Sequence, residues 1–191
     1  MSITRMVYKI LAENRALSGD EMHPHWAYRN FQLLGDSIVS FCGPFNVPPE
    51  RWIDIDSIMH GLNLPEVNML HIIIEHFNSD LPEAMLRQYV LVSILEEKLL
   101  HRIKNSEHKM VRLGDDLFEG EHQLSVTAVG TTLVSSKIHL GVFLEANKKN
   151  RIHGLKSYGV DPLELSEVVI NQYRADMRRL IEKSWRMKPI T

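Results

Sequence analysis

This chain of 191 residues is limited most, in how it can fold, by the order of its segments with strand-like and helix-like spacing of apolar residues. Segments with strand character stand in two groups, separated by one long helical pattern, and a second helical pattern follows them. Repeated strand–helix–strand units, which build a doubly wound parallel sheet, do not occur. The order therefore predicts an α+β fold with a largely antiparallel sheet and packed helices.

Strands are predicted where β-branched or alternating polar and apolar residues run between turn formers. The clearest is MLHIIIEHF, which lies between Asn68 and Asn78. Gly120 is expected in the tight turn of a hairpin. The predicted strands are residues 6–12, 36–41, 69–77, 109–112, 116–118, 122–129 and 134–144, of which the last four would form a meander.

Two helices are predicted from their capping residues and their apolar spacing. The first begins after Asp80 and extends to about Arg102, and the second opens at Asp161 and Pro162. A single helical turn is expected near residues 53–59, inside a long connection. Along the first helix, Leu86, Tyr89, Val90, Ser93, Ile94 and Glu97 follow helical spacing, and Leu81 and Met85 extend this apolar face. The core stripe of the second helix is expected to hold Leu165, Val168, Val169, Gln172 and Tyr173.

Composition narrows the classes of function. A net charge of −2 gives no overall electrostatic attraction to nucleic acid or to an anionic membrane. Binding of a tRNA end is still compatible with this charge. No apolar stretch is long enough to cross a bilayer, and the single cysteine, Cys42, favours a reducing compartment such as the cytoplasm. No repeat or low-complexity linker divides the sequence, so one domain over residues 1–191 is expected, and a homodimer stays open.

A dense group of polar and aromatic side chains lies just before Gly35 and Asp36. Burying so many donors and acceptors is costly unless their partners are already arranged. The group predicts either a loop that grips a ligand or a polar loop that pins two elements together. Trp26 or Tyr28 would stack on the ligand, and Arg29 would clamp a carboxylate or phosphate. The ligand-binding candidates here are His25, Trp26, Tyr28, Arg29, Asn30 and Asp36.

Two further groups carry polar chemistry. Arg112 precedes Asp115 and Asp116, an acidic pair that could bind a metal ion, orient an arginine or cap a turn, the last being the commonest explanation. Ser136, Lys137 and His139 lie in an otherwise apolar strand, where Lys137 and His139 share a face. The lysine charge would disfavour protonation of the histidine and leave a neutral imidazole able to act as a base, and Gly141 would allow a close approach.

Other motifs give weaker signals. The spacing of His71, Glu75 and His76 does not suit two metal ligands on one helical face, and in a strand it places His71 and Glu75 on one face and His76 on the other. No metal ligand is therefore assigned. The common phosphate-loop, dinucleotide-binding and nucleophile-elbow motifs do not occur.

Three strings carry a resemblance to a known family: HWAYRNFQLLGDSIVSF from His25, RLGDDLFEGEHQLSVTAV from Arg112 and SSKIHLGVFL from Ser135. On these strings the chain resembles, over most of its length, the uncharacterised family catalogued as domain of unknown function 366, found in archaea and some bacteria. The resemblance implies a fold similar to the catalytic domain of biotin and lipoate protein ligases, related to class II aminoacyl-tRNA synthetases.

The resemblance also implies positions within a pocket. Asp116 falls where the Asn-Asp pair of these ligases ends, with Asp115 in place of the asparagine. Gln123, before Leu124 and Ser125, holds the place of their reactive-site lysine, and the arginine-glycine phosphate loop of biotin ligases is missing. A neutral amide cannot neutralise developing negative charge, so these departures weigh against adenylate formation unless Lys137 substitutes.

The leading hypothesis is an enzyme that binds a small anionic metabolite or a nucleotide-like molecule in a ligase- or acyltransferase-type pocket. Arg29 and Arg112 would hold anionic groups, and Asp36 or Asp116 would orient a partner or a metal ion. Lys137 and His139 would assist group transfer. A non-catalytic ligand-binding module and a metal-dependent hydrolase are the alternatives, and ATP and a metal ion both stay open as cofactors. The catalytic candidates are Lys137, His139 and Asp116, and the ligand-binding candidates after residue 100 are Arg112, Asp115, Ser125 and Ser136.

Overall fold

A computed structural model describes residues 6–53, 55, 67–77, 79–103 and 108–190. The helical turn expected at residues 53–59 falls largely outside them. The strands are β1 Val7–Ile10, β2 Ser37–Pro44, β3 Asn68–Phe77, β4 Met110–Leu113, β5 Asp116–Glu119, β6 His122–Gln123, β7 Ser125–Thr131 and β8 Ser135–Phe143. The α-helices are α1 Trp26–Phe31, α2 Leu81–Leu100 and α3 Pro162–Ser184, with short 3-10 turns at Asp20–Met22, Pro49–Arg51, Lys148–Asn150 and Leu155–Tyr158.

The strands form a main sheet in the order β1-β2-β3-β8-β7 and a small sheet in the order β4-β5-β6. All neighbours in the main sheet are antiparallel except β1 and β2. These sheets, with the helices packed on them, confirm the predicted α+β class. Within the described residues, no helix combines the length and the apolar character needed to cross a membrane.

The predicted meander is wrong in one respect, because residues 122–129 do not form a single strand. Leu124 separates β6 in the small sheet from β7 in the main sheet. Its backbone N–H donates to Leu117 O of β5, and its carbonyl accepts from Phe143 N of β8. The backbone of this buried residue is thus divided between the two sheets. Gly120 occupies the β5–β6 turn with a positive φ of 59°, as predicted.

Side chains of the main sheet alternate between two faces, which we call the helix face and the loop face. The helix face carries Ile38, Ile72, Ile74, Ile138 and Leu140, and it packs in one apolar cluster with residues of α2 and α3. The loop face carries Val39, Phe41 and Ile73, and these residues pack with Leu17, Trp26 and Ala27. Any polar group placed on the loop face therefore lies beneath α1 and the loops around it.

Helix α2 begins as predicted, since the Asp80 side chain accepts a hydrogen bond from Glu83 N at 2.8 Å. Its buried face, however, was predicted wrongly. The five predicted residues from Leu81 to Val90 are exposed, and Ile94 alone of that prediction is buried. A second stripe at helical spacing packs on the sheet instead, formed by Ala84, Gln88, Leu91, Leu95 and Leu99.

Helix α3 agrees better with its predicted stripe. The Asp161 side chain accepts from Glu164 N at 2.9 Å, and Leu165, Val169 and Tyr173 are buried as expected. Val168 and Gln172 lie at the margin of the contact and are only partly buried. Their places in the core are taken by Ser166, Ile170 and Met177.

The two faces of α2 should respond differently to truncation. Leu91 is 0% exposed and Leu86 is 65% exposed. We expect Leu91→Ala to lower the free energy of unfolding by about 2–5 kcal/mol, because it leaves a cavity in the core. Leu86→Ala should change it by less than about 0.5 kcal/mol. Urea denaturation of both variants checks the assignment, and a larger effect at Leu86 would contradict it.

Candidate functional site

The Glu75 carboxylate of β3 is the hub of the polar groups on the loop face. Its Oε1 accepts hydrogen bonds from His25 N at 2.8 Å and from Ser135 Oγ at 2.8 Å. Its Oε2 faces Lys137 Nζ at 3.2 Å, because Glu75 and Lys137 are direct partners in the antiparallel register of β3 and β8. The side chains of Glu75 and Lys137 are 2% and 1% exposed. This is a buried ion pair held between two central strands.

Lys137 has more hydrogen-bonding capacity than this pair uses. Burial lowers the pKa of Lys137, while the charge and hydrogen bond of Glu75 and the charge of Glu21 oppose that effect only in part. A lysine ammonium has three N–H donors, and Glu75 is its one hydrogen-bond partner among the described residues. The remaining donors are available to a ligand or to water.

Glu21 supplies a second buried carboxylate near the loop face. It lies in the 3-10 turn that packs against β8, and its Oε2 accepts from Ser18 N and Gly19 N at 3.0 and 2.9 Å. Its Oε1 has no hydrogen-bond partner within the described chain, and Arg15 Nε lies 3.8 Å away. The loop face thus carries two carboxylates opposite Lys137 and Arg15.

Two histidines continue the polar row along the same strands. His71 Nδ1 and His139 Nε2 lie 3.1 Å apart, and His71 Nε2 donates to Gly43 O at 3.1 Å. Burial lowers the pKa of His71 to about 4 and that of His139 well below its ordinary value. Both rings are therefore neutral at neutral pH. A neutral His139 is therefore as predicted, but the predicted cause, the charge of Lys137, is wrong. Burial and the neighbouring His71 lower the pKa of His139, and Glu75 compensates the charge of Lys137.

Glycines on the loop face make room for the protein itself. A side chain at Gly43 would place its Cβ 1.9 Å from Arg15 O, because residue 15 crosses β2 at that point. A Cβ at Gly141 would lie 3.2 Å from Met69 Sδ and 3.3 Å from the His139 ring. The close approach expected at Gly141 is thus made by Met69 and His139.

Residues 26–31 form helix α1 and not the predicted loop, because His25 turns the chain into it with a positive φ of 60°. The His25 ring lies 5.2 Å from the Phe77 ring, centre to centre. Trp26 is 3% exposed and packs against Phe31 and Phe41 in the apolar cluster of the loop face. Trp26 is therefore a core residue and not the accessible stacking platform that the sequence predicted.

The other members of this group lie on the outside of α1. Tyr28, Arg29 and Asn30 are exposed. Arg29 donates to Pro24 O at 3.0 Å, and Asn30 Nδ2 donates to Trp26 O at 2.9 Å. Arg29 has no ion-pair partner among the described residues, and its charge contributes to lowering the pKa of Lys137. Arg29 is thus placed to attract an anion at the edge of the loop face.

The acidic turn before β5 does not join this group. Asp115 Oδ2 accepts from Gln88 Nε2 of α2 at 2.9 Å and from Thr127 Oγ1 at 3.0 Å. Thr127 pairs with Leu140, so its side chain points to the helix face. Arg112 stacks over the Tyr89 ring at 5.3 Å and donates to Gly114 O. The expectation that all three polar stretches share one site is wrong for Arg112 and Asp115, because Arg112 stacks on Tyr89 of α2 and Asp115 is bound by Gln88 of α2 and Thr127 on the helix face.

Asp116 occupies a separate, partly buried position. Its Oδ2 accepts from Gln123 Nε2 at 2.9 Å, and its Oδ1 is buried without a partner in the described chain. Burial and the charge of Asp115 raise the pKa of Asp116 to about 7 against the opposing hydrogen bond of Gln123. No hydrogen bond of the described residues links Asp116 with Lys137 or His139.

The remaining predicted residues point to the helix face. Ser125 Oγ accepts from Leu117 N at 2.9 Å, and Ser136 Oγ is buried without a partner in the described chain. Asp36 accepts from His76 Nδ1 at 2.9 Å, and His76 Nε2 lies 2.8 Å from Tyr173 OH. Burial acts to raise the pKa of Asp36, but the hydrogen bond and charge of His76 outweigh it and leave that pKa low. The Asp36–His76–Tyr173 contacts tie α3 to the sheet.

An open groove lies next to the hub and shares Ser135 with it. It has a volume of about 750 Å³, and Phe77 and Ser135 line it together with Asp80, Glu83 and the turn at residues 132–134. Ser135 belongs both to the groove and to the shell of Glu75. Asp80 and Glu83 give the groove an acidic wall, and Arg29 is not among its lining residues.

Glu75 and Glu21 were not predicted as site residues. Glu75 could have been found, because a carboxylate in the apolar run MLHIIIEHF needs a partner and Lys137 stands in an equally apolar strand. Glu21 gives no comparable signal, since it lies in a polar stretch where an acid is ordinary. Its burial follows from the packing of the 3-10 turn on β8.

Comparison with known proteins identifies close relatives. The family model described as Domain of unknown function (DUF366) matches residues 6–188. An uncharacterised protein of Methanocaldococcus jannaschii is 32% identical over 163 residues, covering 81% of this chain and 72% of that protein. A solved protein of unknown function from Pyrococcus horikoshi has a TM-score of 0.84 and 28% identity, over 96% of this chain and 100% of that one.

Solved ligases share the fold at lower identity. A mutant biotin protein ligase from Aquifex aeolicus in complex with biotin has a TM-score of 0.62 and 12% identity, over 95% of this chain and 74% of that one. Lipoate-protein ligase A bound with ATP has a TM-score of 0.51 and 13% identity, over 90% and 86%. These similarities confirm the ligase-like fold.

Removing one member of the buried pair should be costly. We expect Lys137→Met to lower the free energy of unfolding by about 3–5 kcal/mol, because Glu75 then remains as an unpaired buried charge. Lys137→Met combined with Glu75→Gln should restore part of the loss. Lys156→Met is the control, since Lys156 and Glu145 form an exposed pair at 2.5 Å. Urea denaturation checks the series, and a Lys137→Met protein as stable as the parent would contradict the assignment.

The raised pKa of Asp116 predicts a pH-dependent contribution to stability. The protonated carboxyl is favoured in the folded state, so this contribution is complete below the ordinary pKa of 3.8 and is lost as pH rises through about 7. Asp116→Asn should remove it, so the variant should gain stability relative to the parent between these pH values, by on the order of 2 kcal/mol. Unfolding measured at several pH values checks this, and parallel curves for the two proteins would contradict it.

Proposed function

Because this chain belongs to the family described as Domain of unknown function (DUF366) and has a ligase-like fold, we propose that it is an enzyme that binds a small anionic metabolite in a ligase-type pocket on the loop face. The observation that carries the proposal is the buried pair of Lys137 and Glu75 on that face. Burying two charges costs several kcal/mol in desolvation, and a hydrophobic pair of similar volume would be at least as stable. Such perturbed ionisable groups are concentrated at functional sites.

The proposed roles follow from position and charge. Arg29 holds the anionic end of the ligand, since its guanidinium is exposed at the edge of the loop face and can bind a carboxylate or phosphate through two N–H groups. Lys137 stabilises negative charge that develops in the reaction, using the donors that Glu75 does not occupy. Arg112 and Asp115 have no part in this proposal, because both are engaged beside α2.

Activation of an organic acid by ATP is the reaction to test first. Lipoate-protein ligase A, one of the proteins that share the fold, was solved with ATP bound. In this chain the place of the reactive-site lysine is held by Gln123, whose amide donates to Asp116. In the proposed enzyme, Lys137 supplies the positive charge that the reactive-site lysine would otherwise provide. The proposed activity therefore depends on Lys137.

The bond between Gln123 and Asp116 also favours a second candidate, a ligand-binding module without catalysis. A neutral amide engaged with a carboxyl group gives no electrostatic stabilisation to an acyl-phosphate. The metal-dependent hydrolase finds less support, because no three His, Cys, Asp or Glu side chains are grouped as metal ligands within the described part of the chain. A homodimer and contact with a tRNA end stay predictions.

Isotope exchange between pyrophosphate and ATP tests the enzyme, with a panel of acids that includes biotin, lipoic acid and octanoic acid. We expect exchange with at least one acid. Arg29→Ala should raise the KM for that acid at least about tenfold with a smaller change in kcat, because it removes binding that is equal in the ground and transition states. Arg178→Ala, at an exposed position of α3, is the control.

Two outcomes separate the candidates. If no acid supports exchange but one binds in calorimetry, the enzyme is contradicted and the non-catalytic module is favoured. If Lys137→Met leaves both affinity and exchange unchanged, Lys137 has no part in the function. Mass spectrometry of small molecules released from the denatured protein gives an independent identification of the ligand.

A further inference from the structure

The proton positions in the histidine pair follow from one backbone carbonyl. Gly43 O can only accept a hydrogen bond, so His71 Nε2, 3.1 Å away, must carry a proton. His71 is neutral, and its Nδ1 therefore holds a lone pair. The His139 Nε2 atom, 3.1 Å from that lone pair, must then be the donor. The carbonyl thereby fixes the tautomer of both rings.

This row of hydrogen bonds from Gly43 to His139 leaves one ring nitrogen, His139 Nδ1, unused. His139 is neutral with its proton on Nε2, so its Nδ1 atom is a hydrogen-bond acceptor. No hydrogen bond to Nδ1 is found among the described residues, and His139 is 4% exposed. A ligand that donates a hydrogen bond here would give Nδ1 the partner that the described residues do not supply. The loop face thus presents an acceptor at His139 and, two residues along β8, the unused donors of Lys137.

We propose that His139 Nδ1 accepts a hydrogen bond from an N–H or O–H group of a neutral ligand head group, and so determines which ligands the loop face admits. This inference rests on the proposed function and deepens it. A lone pair at this position repels a carboxylate or phosphate, which offers lone pairs of its own. The head group that fits carries a donor for His139 and an acceptor for Lys137, as an amide or a cyclic urea does.

The charges on the loop face also favour a neutral ligand head group. Lys137 is compensated by Glu75, and Arg15 lies beside Glu21. Arg29, at the edge, is left for the anionic end of the ligand. The ligand is therefore expected to have a neutral, donor-bearing head inside and an acidic group at the rim.

Biotin and lipoic acid form a matched pair of probes for this inference. They share a pentanoic acid tail, but the ring of biotin is a urea with N–H groups and that of lipoic acid is a dithiolane with none. We expect biotin to bind at least about tenfold more tightly in calorimetry, because a site with an unpaired acceptor rejects a ligand that lacks the donor. His139→Phe should remove that difference by weakening biotin alone.

His139→Gln is the conservative variant, since its amide N–H can keep the bond to His71 while its carbonyl accepts from the ligand. It should retain most of the preference for biotin, and circular dichroism with thermal unfolding confirms that both variants are folded. The tautomer is read without any ligand, from two-bond ¹H–¹⁵N correlation spectra of the parent protein. We expect His139 Nδ1 to show the signal of an unprotonated ring nitrogen.

The outcomes distinguish this inference from the proposed function. A protonated His139 Nδ1 overturns the inference whatever binds. Lipoic acid binding as tightly as biotin, or His139→Phe weakening both equally, also overturns it and leaves the proposed function standing. If neither acid binds, the result contradicts the inference, and lack of binding by the whole acid panel contradicts the proposed function as well.

Discussion

The loop face depends on the Glu75 carboxylate having a partner for each of its oxygens. Three elements meet at that group: the backbone that starts α1 at His25, the hydroxyl of Ser135 at the start of β8, and the ammonium of Lys137. An ionised carboxylate is stable in the interior only if such donors are arranged around it. Glu75 therefore couples the placement of α1 to the register of β3 and β8, and with it the position of Arg29.

Much of the fold could be predicted because its signals are local. The caps at Asp80 and Asp161 and the isoleucine run of β3 each act within a few residues, and all three elements formed where expected. The buried face of α2 could not be predicted in this way. That helix has two apolar stripes, and the choice between Leu86 and Leu91 is made by the sheet that covers one of them. The division of residues 122–129 at Leu124 likewise depends on two sheets that are distant in sequence.

The candidate site could be predicted in part, for the same reason. Alternation along a strand is local, so the sequence alone predicts correctly that Lys137 and His139 share a face and that His71 and Glu75 do. The pairing of Lys137 with Glu75 requires the register of β3 and β8, which joins residues 62 positions apart. The position of Asp115 could not be predicted, because nothing in its turn shows that Thr127 and Gln88 bind it on the opposite face.

Gly43 gives the loop face a property that no side chain encodes. Its missing Cβ lets residue 15 cross β2, and its carbonyl orders the protons of His71 and His139. Grafting the two histidines onto another scaffold without that carbonyl would yield rings that exchange tautomers freely and present a donor as readily as an acceptor. A redesign of this pocket must therefore preserve the main chain at Gly43. In a library that varies only the lining residues, His139 would still present an acceptor, because the Gly43 carbonyl determines where the protons lie.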